Sequence, residues 1–137
     1  MIRSSVSLLV LVTGLLVVSL QVFSAAIPAH HGTAVYDTTK LSTLKGTVTD
    51  YQFINPHSVI GLDVKDETGK VSNWVLEAGS GTSMSRKGWT RNLLKPGDQI
   101  TATGNRAKNG SNTMRLSKIA LSNGKEYFVD RGEDYAN

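Results

Sequence analysis

Three successive runs of alternating apolar and polar residues restrict this chain to a fold that is rich in β-strands. The runs span residues 44–51, 58–65 and 71–78, and period-two alternation with β-branched residues is typical of strands with one buried face. Residues 66–70 have the composition of a tight turn, so the second and third runs are predicted to form an antiparallel hairpin. The hairpin residues expected in the core are Ile60, Leu62, Val64, Trp74 and Leu76.

The sequence after this hairpin predicts one short helix and then further strands. Glycines break the third run, Thr82 or Ser83 is suited to cap the helix, and Gly88 is suited to end it. A Pro-Gly pair within residues 95–98 predicts the next tight turn. The remaining alternating runs are residues 99–106, 113–121 and the short stretch 126–129.

The order of these elements predicts the fold class. Three strands, a short helix, two strands and a short last strand follow the order of the oligonucleotide/oligosaccharide-binding (OB) fold, a five-stranded Greek-key barrel. We therefore predict an all-β protein with one short helix that forms a small OB-like barrel. An open antiparallel sheet or a sandwich is the alternative. Gly46 inside the first run predicts a bend or a close approach of two backbones.

The beginning of the chain predicts export. Arg3 is followed by an apolar run over residues 6–20 and then by small residues, which is the layout of a signal peptide cleaved after Ala26 or Ala29. An uncleaved membrane anchor is the alternative, but the run is shorter than the roughly 20 residues that a spanning helix needs. We expect a periplasmic or secreted protein that contacts the membrane only through this segment, and only if it stays uncleaved.

The predicted organisation is a signal peptide over residues 1–26, a polar lead-in over 27–43, one barrel domain over 44–130 and a polar tail over 131–137. The chain has no cysteine, which excludes disulfides and thiolate zinc sites. Its formal net charge is +4, and the basic residues are spread along the sequence. Nucleic acid is therefore not expected as a partner.

The corner between the first two predicted strands supplies the main site candidate. Pro56 has no backbone donor and a fixed φ, so Asn55, Pro56 and His57 form a corner rather than a strand. Closing the hairpin is expected to bring His57 near Glu77, which would place an imidazole, a carboxylate and an amide at one end of the hairpin.

The predicted fold favours a non-catalytic module that binds an unknown small ligand or protein of the bacterial envelope, since barrels of this type commonly bind ligands on strands two and three and the adjoining loops. The candidate ligand-binding residues are Asn55, His57, Glu77, Arg86 and Trp89. For Trp89, packing of the helix onto the barrel mouth is the alternative. A base and its orienting carboxylate could be built from His57 and Glu77. Because the sequence has no cysteine nucleophile, no Gly-x-Ser-x-Gly motif and no phosphate loop, an enzyme is not expected.

Metal binding is the second hypothesis. His30 and His31 are adjacent, and with His57 they could hold copper or zinc, since neutral imidazole suits both metals. A polar N-terminal start and a turn histidine are the structural alternatives for the same residues. No other cofactor is implied.

Short motifs are distributed over nearly the whole mature chain. They are His-His (30–31), Leu-Lys-Gly-Thr-Val (44–48), Asn-Pro-His (55–57), Leu-Asp-Val (62–64), Asn-Trp (73–74), Glu-Ala-Gly-Ser (77–80), Arg-Lys-Gly-Trp-Thr (86–90), Leu-Lys-Pro-Gly-Asp (94–98) and Arg-Ala-Lys-Asn-Gly-Ser (106–111). Together they resemble the domain-of-unknown-function family 6152, small exported bacterial proteins. The resemblance implies a secreted, barrel-like single domain and brings no established activity, catalytic residue or cofactor. Ser58 stands where family members often have a hydrophobic or aromatic residue, which is expected to alter the rim of a pocket there.

Overall fold

The computed structural model describes residues 35–129 of the chain. The elements are β1 (Tyr36–Gln52), β2 (Val59–Lys65), β3 (Val71–Glu77), α1 (Gly81–Ser85), β4 (Gln99–Ala107), β5 (Thr113–Leu121) and β6 (Glu126–Phe128). This confirms the prediction of an all-β protein with one short helix. Within the described range, no helix has the length and apolar character needed to cross a membrane. The predicted signal peptide (1–26) and polar tail (131–137) lie outside the described residues.

The first five strands close into a barrel. Along the sheet the order is β3-β2-β1-β4-β5-β6, and each of these neighbouring pairs is antiparallel. Closure comes from a parallel pairing of β3 with β5, in which residues 75–77 lie opposite residues 113–115. The OB-like five-stranded barrel is thereby confirmed, and the short strand β6 is attached to it as a hairpin partner of β5.

Strand β1 begins at Tyr36, earlier than the predicted start at Leu44. Its first part pairs with β4 and its last part with β2, so β1 lies between these two strands and joins them in the sheet. The register shifts between Tyr36 and Leu41. There the Asn105 side-chain amide donates to the carbonyl oxygens of Asp37 at 2.8 Å and Lys40 at 3.0 Å. The first part of β1 is mostly polar, and backbone pairing with β4 and the Asn105 amide hold it in the strand. Because its side chains do not alternate between apolar and polar, the sequence pattern did not predict this part of the strand.

The point at which β1 changes partners contains Gly46. This residue lies opposite Ile100 of β4, and the following Thr47 already lies opposite Asp63 of β2. A Cβ atom at residue 46 would stand 2.4 Å from the backbone oxygen of Asp63 and 2.9 Å from Cγ of Leu62. The close backbone approach predicted from the sequence is therefore present, and it requires glycine.

The core lies inside the barrel and is built as the hairpin pattern predicts. Ile60, Leu62, Trp74 and Leu76 are buried, whereas Val64 is only partly buried and packs against the edge of the core because it lies next to the turn of the hairpin. The other strands and the helix region contribute Val48, Met84, Trp89, Leu94, Ile100, Ala102, Met114, Leu116 and Ile119.

The N-cap of helix α1 lies two residues before the earlier of the two predicted positions. Ser80 is the N-cap, and its hydroxyl oxygen accepts the backbone N–H of Ser83 at 3.1 Å, which satisfies a donor that the helix start leaves open. The prediction of Thr82 or Ser83 as the cap was therefore wrong. The helix ends at Ser85, three residues before the predicted end at Gly88. Gly88 ends the turn that follows: its φ is +88°, and the N–H of Trp89 donates to the carbonyl of Met84 at 3.2 Å, as in a Schellman motif.

Candidate functional site

An open groove lies between the corner that follows β1 and helix α1. Its volume is about 400 Å³, which falls in the lower part of the range of about 300–1,000 Å³ for small-ligand pockets. Phe53 and Ile54 supply apolar surface, and Arg91 supplies a positive charge. The complete lining is Phe53, Ile54, Asn55, Gly81, Thr82, Ser85 and Arg91.

The corner is fixed to the helix by hydrogen bonds. The carbonyl oxygen of Ile54 accepts the N–H of Gly81 at 2.9 Å. The side-chain oxygen of Asn55 accepts the N–H of Thr82 at 3.2 Å, and its amide nitrogen lies 3.2 Å from the Thr82 hydroxyl. The peptide bond between Asn55 and Pro56 is cis. Asn55 therefore lines the groove, and it also joins the two walls of the groove.

Tyr51 and Phe53 form a wall next to Arg91. Their ring centroids are 6.0 Å apart, and the Tyr51 hydroxyl donates to the carbonyl of Thr90 at 3.1 Å. Burial raises the pKa of Tyr51 to about 12, and the positive charge of Arg91 acts in the opposite direction. The guanidinium group is thus close enough to this aromatic wall to influence it electrostatically.

His57 and Glu77 do not form a shared site. Backbone bonds do bring the corner to the predicted place, since the N–H of Ser58 donates to the carbonyl of Gly79 at 2.9 Å. The His57 side chain is exposed, and no hydrogen bond or ion pair joins it to Glu77 within the described residues. The Glu77 side chain lies on the outer face of β3 and bonds the Tyr36 hydroxyl instead.

The partners of Glu77 form a second polar cluster, which the sequence did not reveal. Tyr36 is only 3% exposed. Burial first, and then the hydrogen bond and negative charge of Glu77, raise the pKa of Tyr36 well above its ordinary value, while the charge of Arg115 acts in the opposite direction. Arg115 lies directly opposite Glu77 where β3 pairs with β5. The contacts tie the start of β1 to the closing pair of strands.

The Trp89 side chain packs in the core of the protein. Its side chain is 1% exposed, its indole N–H donates to the carbonyl of Phe128 at 2.9 Å, and its ring meets Tyr127 edge-on at 5.7 Å between centroids. The alternative interpretation given above, packing of the helix region onto the barrel, therefore describes its position. Arg86 is exposed next to α1 and does not line the groove.

The sequence matches the model of a family described as Family of unknown function (DUF6152) over residues 16–116. The chain belongs to this family. The resemblance found in its short motifs is thereby confirmed, and membership assigns no activity. Among curated proteins, none matches the chain.

Within this DUF6152 protein, Ser58 has a structural role. Its side chain is completely buried, with its hydroxyl 3.3 Å from the backbone nitrogen and 3.2 Å from the carbonyl oxygen of Ile54. The hydroxyl therefore closes the corner from inside. It does not stand on the rim of the groove, contrary to the expectation from the sequence.

The proposed metal ligands of this DUF6152 protein are only partly covered by the structure. His30 and His31 lie outside the described residues. Between residues 35 and 129, no three histidine, aspartate or glutamate side chains cluster in a way that could hold a metal ion. Copper or zinc binding through His30, His31 and His57 therefore stays a prediction from the sequence.

Proposed function

We propose that this DUF6152 protein is an exported, non-catalytic binding module of the bacterial envelope, and that the groove beside Asn55 is where it binds a small ligand or a short part of a protein. The observation that carries the proposal is a groove of about 400 Å³ with both apolar and polar walls. Export rests on the signal-peptide pattern at the start of the sequence.

The groove is a better candidate than the outer face of β2 and β3, where barrels of this type often bind ligands. On that face Asn73 and Asp63 bond to each other at 2.6 Å, so their polar groups are already engaged. Gly61 and Val75 lie opposite each other in the two strands, and neither has an aromatic ring on which a sugar or base could stack. The groove instead combines apolar surface, hydroxyl groups and the guanidinium group of Arg91.

The construction of the groove also supports binding. Its two walls are joined by the bonds from Ile54 and Asn55 to the start of α1, so the shape exists before a ligand arrives. A preformed site loses less conformational entropy on binding than a mobile one.

A fragment screen by NMR on the ¹⁵N-labelled protein tests the proposal. We expect fragments that bind to shift the amide signals of Ile54, Thr82 and Ser85, and we expect Ser85→Phe to abolish these shifts by filling the groove. Ser122→Phe is the matched control, because Ser122 is an exposed serine in the turn between β5 and β6. Fragment shifts that persist in Ser85→Phe, or that fall on another face, would contradict the proposed site.

A further inference from the structure

Among the described residues that line the groove, Arg91 is the only one with a formal charge. The other lining residues are neutral, and no carboxylate between residues 35 and 129 forms an ion pair with its guanidinium group. A ligand in this groove therefore meets a positive charge that the described part of the fold does not neutralise.

Several other cations of the barrel have structural partners. Arg106 lies over the ring of Trp74 at 4.5 Å, and Lys118 pairs with Glu126 at 2.7 Å. The Lys87 ammonium donates to the carbonyl of Val129. These contacts account for the positions of Arg106, Lys118 and Lys87. Arg91, in contrast, lies in the wall of the groove.

The groove places apolar side chains close to a positive charge. Ile54 is 44% exposed, and it lies with Phe53 along the same groove as Arg91. Ile54 and Phe53 can cover an apolar body, while the planar fork of an arginine matches the two oxygens of a carboxylate. The hydroxyl of Ser85 already donates to the carbonyl of Gly81 at 2.8 Å, which leaves Arg91 as the strongest donor available to a ligand.

We propose that the groove binds a small amphipathic carboxylate, with the Arg91 guanidinium holding the carboxylate and Phe53 and Ile54 contacting the apolar body. This assignment rests on the proposed function, since it names the class of ligand for the same groove. The volume of about 400 Å³ is sufficient for one small molecule of this kind.

Three probes of nearly equal shape and different charge test the assignment: benzoate, benzamide and benzamidine. Each is titrated into the ¹⁵N-labelled full chain, and amide shifts give the dissociation constant. We expect benzoate to bind at the groove about tenfold more tightly than benzamide, because a hydrogen bond between two charged groups is stronger than one to a neutral amide. Benzamidine is expected to bind most weakly, and added salt is expected to weaken benzoate binding.

Variants then test the role of Arg91. Arg91→Gln is expected to reduce benzoate affinity to that of benzamide. Arg91→Lys is expected to recover only part of the loss, because an ammonium group lacks the fork geometry. Arg86→Gln removes a nearby exposed cation that does not line the groove, so it is expected to leave benzoate binding unchanged.

The outcomes separate this inference from the proposed function. Equal binding of benzoate and benzamide in the groove, or unchanged benzoate binding in Arg91→Gln, would overturn the carboxylate assignment while leaving the groove as a binding site. No groove shifts from any of the three probes would overturn the assignment as well. The Ser85→Phe fragment screen would then decide separately whether the groove binds other ligands.

Discussion

Asn55 is the residue at which the sequence analysis and the structure meet most closely. The Asn-Pro pair marked it as a corner residue, and its side chain does face the groove. Three contacts join its amide to the backbone and hydroxyl of Thr82. The residue therefore both lines the groove and holds the corner against the helix.

Replacing Asn55 by alanine is expected to destabilise the protein by about 1 kcal/mol, since a net hydrogen bond contributes about 0.5–1.5 kcal/mol and these bonds are exposed to water. Urea unfolding measures the change. Asn92→Ala is the control: Asn92 is also exposed and forms no side-chain hydrogen bond within the described residues. Equal stability of the two variants would show that the contacts of Asn55 with Thr82 contribute nothing.

For the other site residues, the sequence predicted the position of the backbone but not the contacts of the side chains. Hairpin closure did bring the backbone of His57 towards Gly79, because pairing register follows from the turn. The Glu77 side chain lies on the outer face of β3, and its interaction with Tyr36 could not be predicted because Tyr36 is distant in sequence and lies in a segment without alternation. Arg91 was missed for the same kind of reason, since its groove exists only after the corner packs on α1.

Strand β1 determines the geometry of the barrel at the level of elements. It pairs first with β4 and then with β2, and Gly46 stands at the change. The absence of a side chain there lets the backbone of β2 approach, because an added Cβ would lie 2.4 Å from the Asp63 carbonyl oxygen. No real Cβ contact is that short, so the strands would have to separate.

Gly46→Ala is therefore expected to destabilise the barrel by about 1–3 kcal/mol or more, which is the usual cost of adding atoms to a site that is already fully packed. Gly79→Ala is the matched control, because its Cβ would meet only side-chain carbons of Met84 and Val129 at 3.4 Å. Chemical denaturation of both variants gives the comparison. A Gly46→Ala protein as stable as Gly79→Ala would mean that β1 and β2 can move apart freely.

The elements themselves were predictable to different degrees. The β2–β3 hairpin, β4 and β5 were recognised because one face of each is buried and the other is not. The first part of β1 has mostly exposed side chains, so its pairing is visible only in the backbone. The cap at Ser80 was missed because Thr82 and Ser83 carry the same type of side chain, and the position of the first turn decides among them.

At the scale of the whole molecule, the order of elements predicted the barrel. It did not predict the contacts that reinforce the closing seam, which is the pairing of β3 with β5. The parallel pairing of β3 with β5 covers only residues 75–77 and 113–115. Tyr36 adds to this seam from outside, because its hydroxyl bonds Glu77 of β3 next to Arg115 of β5. The start of β1 therefore acts as a clamp over the closure.

Tyr36→Phe is expected to lower the free energy of unfolding by about 1–3 kcal/mol at neutral pH, since the lost hydrogen bond has a charged acceptor. Amide hydrogen exchange should accelerate most at the seam, around residues 75–77. Tyr127→Phe is the control: it removes a hydroxyl that forms no hydrogen bond within residues 35–129. Uniform acceleration across the barrel would contradict a clamp at the seam.

Alkaline pH provides an independent check on this clamp. The folded state raises the pKa of Tyr36 above the ordinary value of 10.0, so the stability contributed by its protonated hydroxyl is complete below about pH 10 and is lost as the pH rises further. Tyr36→Phe has no such group to titrate. The stability gap between wild type and Tyr36→Phe should therefore narrow above about pH 10, as measured by urea midpoints. Loss from Tyr51, whose pKa is raised to about 12, affects both proteins equally. A gap that stays constant would mean that neither burial nor Glu77 raises the pKa of Tyr36 in the folded state.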